Sequence, residues 1–119
     1  MKDDDLPGEV CAFVRAHIPS IGHMEALVLT VEEPLHVWTA ESLAGRLFMP
    51  KGAVGFLLRD LSASGLVEYS APGVWRFARY HTMLTAVARR AVRLYRQRLV
   101  PMTTMIRVVA DARQVHGAH

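Results

Sequence analysis

The sequence predicts a mainly α-helical domain of the α+β class. Its 119 residues, 51% of them apolar, are the size of one compact domain that can bury its own core. Apolar residues recur at spacings of three and four in several segments, which is typical of helices, and one segment alternates around a Pro-Gly pair, which is typical of a hairpin. We therefore expect a single domain over residues 1–119, with N-terminal helices, a two-stranded hairpin and a long C-terminal helix.

Two helices are expected at the start of the chain. In PGEVCAFVRAHIP, residues Val10, Phe13 and Val14 have helical spacing, and Pro19 ends the segment. Ser20 can accept a free backbone N–H of the next helix, so we expect it as the N-cap of SIGHMEALVLTVEEP. That helix should end at the Glu-Glu-Pro run.

A brief strand and a short third helix should follow. LHVW is short, β-branched and aromatic, which favours a strand. Thr39 is the expected N-cap of AESLAGRLF, with Glu41 in the first turn, where an acidic group is stabilising. Leu43, Leu47 and Phe48 are expected on one face of this helix.

A fourth helix and a hairpin are expected next. Pro50 suits the first helical position, because a residue without an N–H loses no hydrogen bond there. Gly65 tolerates the left-handed conformation that ends many helices, and strands should then cover residues 67–70 and 74–78 around a turn at 71–73. Spacings of i, i+3, i+4 and i+7 give the buried stripe of the helix as Val54, Leu57, Leu58 and Leu61.

The C-terminal part predicts one long helix over about residues 80–113, kinked at Pro101. Its apolar stripe is longer than a body of this size is expected to cover, so we predict that it forms a homodimer together with the first helix. The predicted dimerisation residues are Leu84, Val87, Ala88, Ala91, Tyr95, Leu99, Met102 and Ile106.

The segment WTAESLAGRLFMPKGAVGFLLRDLSASGLVEY resembles the helix-turn-helix of MarR-like and related bacterial transcriptional regulators. The likeness lies in its L-A-x-x-L turn, its apolar-x-x-L-x-x-L spacing and its G-L-V exit. More narrowly, HIPSIGHMEALVL, VWTAESLAGRL and LYRQRLVPMTTMI are similar to a group of small, uncharacterised bacterial winged-helix regulators. The resemblance implies a winged helix-turn-helix, with its helices and wing at about residues 35–79, that binds double-stranded DNA and is often dimeric.

If the fourth helix lies in a major groove, its reading face is opposite the buried stripe. Only Lys51 and Arg59 carry groups there that suit base readout, so phosphate contacts should dominate affinity. Gly52 and Gly55 each cost roughly 1 kcal/mol of helix stability relative to alanine, which favours a close backbone approach by DNA or protein. Phe56 has three alternatives: contact with a thymine methyl, packing against the second helix, or anchoring of a partner. The predicted DNA-binding residues are Arg46, Lys51, Gly52, Gly55, Phe56, Arg59, Arg76 and Arg79.

The charges are unevenly distributed along the chain. Residues 1–68 hold five basic against ten acidic residues, whereas residues 69–119 hold nine arginines against Asp111 alone. This asymmetry indicates a polyanionic partner, attraction between the two halves, or a solvated arginine face. The acids Asp3, Asp4, Asp5 and Glu9 of a second chain are candidate partners for the arginines of the last helix. These arginines are Arg89, Arg90, Arg93, Arg96 and Arg98.

Other function classes have little support in the sequence. A single cysteine, Cys11, excludes an internal disulfide and a cysteine-based zinc site. The six histidines include no i, i+4 pair with a nearby acid, and there is no phosphate-binding loop or nucleophile elbow. We therefore expect no enzyme, no cofactor and no metal.

The N-terminus MKDDDLPGEV is not of signal-peptide type, and no stretch is long and uncharged enough to span a bilayer, so we expect a cytoplasmic protein with no membrane partner. Two alternatives to DNA binding stay open. One is a winged-helix module that binds a protein partner through the Gly52, Gly55 and Phe56 face. The other is a regulator with an apolar ligand pocket between its N-terminal and C-terminal helices.

Overall fold

A computed structural model describes residues 6–117, and the side chains of residues 6–113. This part of the chain is mainly helical with one two-stranded antiparallel sheet, which confirms the α+β class. In chain order, the elements are α1 (Gly8–His17), α2 (Ile21–Glu32), α3 (Ala40–Leu47), α4 (Lys51–Ala63), β1 (Val67–Ala71), β2 (Val74–Phe77), α5 (Met83–Gln97) and α6 (Leu99–Gly117).

The helix boundaries follow the predicted caps. The Ser20 hydroxyl accepts the backbone N–H of His23 at 3.2 Å. Thr39 and Ser42 exchange two hydrogen bonds of 2.9 Å, which satisfies two donors at the start of α3. Gly65 has φ 84°, the left-handed conformation expected beyond α4. These local predictions are confirmed, and the stripe of α4 is buried as well.

Three details around α3 differ from the predictions. LHVW does not form a strand of its own, because only Trp38 pairs, exchanging backbone hydrogen bonds of 2.7 and 2.8 Å with Trp75. Pro50 is extended and precedes α4 by one residue instead of starting it. Phe48 is left-handed, with φ 55°, and 95% exposed, so it does not share the buried face of Leu43.

The hairpin brings side chains of β1 and β2 opposite each other in pairs. Glu68 faces Arg76 across the two strands and Tyr69 faces Trp75, with a register shift after Tyr69. Gly73, at φ 73°, makes the turn, and its N–H donates to the Tyr69 hydroxyl at 2.8 Å.

The C-terminal part contains two helices where the sequence predicted one kinked helix. The break lies at Arg98, which has φ −134° and ψ 60°, three residues before Pro101. In a continuous helix the Pro101 ring would clash with the carbonyl of Gln97. Restarting at Leu99 places Pro101 in the first turn of α6, where the missing N–H costs nothing.

The break also changes what covers the C-terminal stripe. Both α5 and α6 pack against α1 and α2 of the same chain. Among the predicted dimerisation residues, Leu84 and Val87 are half-buried at the edge of this core, and Leu99 is 51% exposed. The other five are 0–5% exposed inside one chain, so they present no surface to a second copy: Ala88, Ala91, Tyr95, Met102 and Ile106.

Candidate nucleic-acid interface

The outward face of α4 is a cationic and open surface. Lys51, Gly52, Phe56 and Arg59 are exposed on the side opposite the buried stripe. Together with Gly55 and Ala40 of α3, they line a shallow concavity of about 400 Å³. Lys51 has no ion pair or hydrogen-bond partner among residues 6–113, so its ammonium is available to a ligand.

The two glycines leave the backbone of α4 bare. A Cβ added at Gly52 or Gly55 would meet no heavy atom of the described residues within 4 Å, so no packing contact among them requires glycine at either position. Glycine in a helix is less stabilising than alanine, so Gly52 and Gly55 lower the stability of α4 and gain no packing contact among the described residues in return. The bare surface is suited to a partner whose atoms approach the helix backbone closely.

The Phe56 side chain does not fold back against α2. It is 62% exposed, and the Arg59 guanidinium lies 5.3 Å from the centre of its ring, within cation–π range. This contact holds the Arg59 side chain along the outer surface of α4. The structure therefore removes one of the three alternatives for Phe56 and leaves DNA contact and partner anchoring.

The remaining predicted arginines are all paired. Arg46 donates to Glu33 at 3.0 Å, and its guanidinium lies 5.3 Å from the Trp38 ring. On the hairpin, Arg76 and Arg79 donate to the same oxygen of Glu68, at 2.9 and 2.8 Å. The hairpin therefore presents two guanidinium groups held by one carboxylate.

Glu68 is a residue that sequence reasoning missed. Its side chain is 23% exposed, and this partial desolvation raises the pKa of its carboxyl. The hydrogen bonds and charges of Arg76 and Arg79 outweigh that effect, so the pKa of Glu68 is lowered overall. The strand alternation places Glu68 opposite Arg76, and this register is the signal that could have identified the pair.

Three arginines of α5 contact groups of their own chain, whereas Arg93 has no ion pair or hydrogen bond among residues 6–113. Arg90 pairs with Glu9 of α1, and Arg96 binds both oxygens of Glu32 of α2 at 2.6 and 2.7 Å. The hydrogen bond from Arg96 lowers the pKa of Glu32. The Arg89 guanidinium lies 5.2 Å from the Phe77 ring. Glu9 is thus engaged within one chain, while Asp3, Asp4 and Asp5 lie outside the described residues.

A polar link that the sequence did not indicate joins α2 to α4. The His23 imidazole lies 2.8 Å from Asp60 through Nε2 and 2.6 Å from the Ser20 hydroxyl through Nδ1. A neighbouring contact of 3.1 Å joins His17 to Ser64 at the end of α4. The Ser20 hydroxyl also accepts a backbone N–H as the cap of α2, so this cluster positions helices. It fixes the last turns of α4 against the α1–α2 corner.

No protein-family model, curated protein or solved structure matches this chain. Among the described residues, no three histidine, cysteine or acidic side chains are grouped so that they could hold a metal ion. None of the helices in residues 6–117 has both the length and the hydropathy that a bilayer span requires. The cationic surface of α4 and the arginines of the hairpin are the features of the described residues that bear on function.

Proposed function

We propose that α3, α4 and the hairpin form a winged helix-turn-helix that binds duplex DNA, and that the protein regulates transcription. The turn 48–50 joins α3 to α4, and its three residues are the length of the connection in a helix-turn-helix. The hairpin follows α4 after a short link, and Trp38 ties the start of α3 to β2. A hairpin placed there would flank α4 on the nucleic acid.

The observation that carries this proposal is the outward face of α4. It offers a cation at each end, Lys51 and Arg59, and a glycine-bared backbone between them. Cationic side chains and exposed helix backbone are what a phosphate backbone can meet at close range. Few donors or acceptors for base edges lie on this face, so we expect affinity to depend more on salt than on base sequence.

The ion pairs of the hairpin do not oppose this proposal. The arginine is largely exposed in the pair of Arg79 with Glu68 and in the pair of Arg46 with Glu33, and exposed pairs are worth only about 0–1 kcal/mol each, because water screens them. A DNA phosphate can therefore replace Glu68 as the partner of Arg79, whose side chain is 64% exposed. Arg46 is 51% exposed in its pair with Glu33 and can make the same exchange.

A mobility-shift titration at two salt concentrations, about 50 and 200 mM, tests the proposal. The double variant Lys51→Ala, Arg59→Ala should weaken duplex binding and lower the slope of log affinity against log salt by about 2. The matched control Arg107→Ala, Arg113→Ala removes the same charge from α6 and should leave the slope unchanged. Absence of binding by the intact protein at low salt would refute DNA binding.

The second candidate function is a winged-helix module for a protein partner. It is favoured by the exposure of two aromatic rings, that of Phe48 in the turn before α4 at 95% and that of Phe56 in α4 at 62%, since aromatic residues are enriched at protein interfaces. Unbiased selection of bound DNA separates the two functions, because a protein module should enrich no sequence and retain no duplex. If the protein is such a module, Phe56→Ala should release a co-purifying protein. The substitution should leave the packing of the buried stripe of α4 unchanged.

A further inference from the structure

A groove between α1 and α6 combines an apolar floor with two arginines. Val108, Val109 and Ala112 of α6 form the floor, and Arg15 of α1 and Arg113 of α6 complete the lining. Its volume is about 520 Å³, and the Val108 side chain is 61% exposed to solvent there. The groove is lined by α1 and α6, and it shares no lining residue with the concavity on α4.

The two arginines of this groove have no acidic partner among the described side chains. Neither Arg15 nor Arg113 has an ion pair among the side chains of residues 6–113, and no acidic side chain lines the groove. At about 100° per residue, Arg107 projects from the side of α6 opposite the groove, whereas Asp111 lies about 60° around the helix from Val108 and does not line the groove. Two guanidinium groups beside apolar surface, with no acidic side chain of the described residues between them, form a site of positive potential that an anion would stabilise.

We propose that this groove binds a small amphipathic organic anion, whose carboxylate or sulfonate pairs with Arg15 and Arg113 and whose apolar body covers Val108 and Ala112. The volume lies within the roughly 300–1,000 Å³ that small-molecule sites have. A stable protein interface buries about 800 Å² on each partner, far more than these five residues supply. The proposal does not depend on DNA binding, since its site and its readout are separate from α4.

Calorimetric titration with decanoate tests this proposal. Decanol, which lacks the charge, and acetate, which lacks the long apolar chain, are the matched control probes. Decanoate should bind, and both control probes should bind at least roughly tenfold more weakly, because each lacks one of the two interactions. The variant Arg15→Gln, Arg113→Gln should weaken decanoate binding by roughly tenfold or more. Arg107→Gln, on the opposite side of α6, should bind decanoate as the unmodified chain does.

Three results would overturn the proposal. The first is no heat of decanoate binding at millimolar concentration, and the second is equal affinity for decanol and decanoate. The third is that light scattering gives Val108→Asp half the mass of the unmodified chain, which would show that a second copy of the chain covers the groove. Since Arg15 and Val108 are exposed, these variants keep the core intact, and circular dichroism checks that they are folded.

Discussion

Substitution of Ile106 tests whether α6 belongs to the core of a single chain. Ile106 is fully buried, and α6 packs against α1, α2 and α5. Replacing a buried isoleucine by alanine removes its apolar burial and leaves a cavity, at a cost of about 2–5 kcal/mol. A domain of this size has a total stability of about 5–15 kcal/mol, so Ile106→Ala should remove a large fraction of it.

Urea unfolding followed by circular dichroism measures this loss at two protein concentrations. Val108→Ala is the matched control, because Val108 lies on the same helix but is 61% exposed, and its change should stay within about 0.5 kcal/mol. The loss caused by Ile106→Ala should be the same at both concentrations. If Ile106→Ala instead converts a dimer into a folded monomer of undiminished stability, Ile106 lies in an interface and the assignment to the core is wrong.

Three further predictions concern the surface. Glu68→Gln removes the carboxylate that holds two hairpin arginines, so it should tighten duplex binding and raise the salt slope in a mobility shift; a weaker complex would show that Glu68 orients them. Gly55→Ala should stabilise α4 by about 1 kcal/mol in thermal unfolding yet weaken DNA binding, and unchanged binding would exclude close approach there. The lowered pKa of Glu32 means that its pair with Arg96 stabilises the fold above the ordinary value of 4.5 and loses this effect as pH falls through the lower folded value. Arg96→Gln should therefore be less stable than the unmodified chain in urea unfolding at pH 7, and this difference should shrink as pH falls below 4.5; an equal difference at every pH would contradict the pairing.

Much of the local structure could be predicted because it depends on neighbours within one helical turn. The hydroxyls of Ser20 and Thr39 cap their helices by accepting the backbone N–H of the residue three positions later. Gly65 adopts the left-handed conformation because it has no Cβ. Trp38 shows the limit of such reasoning. Its segment has strand composition, yet among the described residues it forms a single bridge, between the backbones of Trp38 and Trp75.

The sequence by itself determined which face of each helix is apolar and which face of α4 carries its cations. It also determined that a hairpin follows α4. Only the tertiary structure decided what covers each apolar stripe and what each charge meets. The stripe through Met102 and Ile106 has the periodicity of an interface and of a core alike, and the break at Arg98 places it in the core. Likewise Arg96 meets Glu32 across 64 residues of chain, because helix packing rather than sequence spacing sets the distance between them.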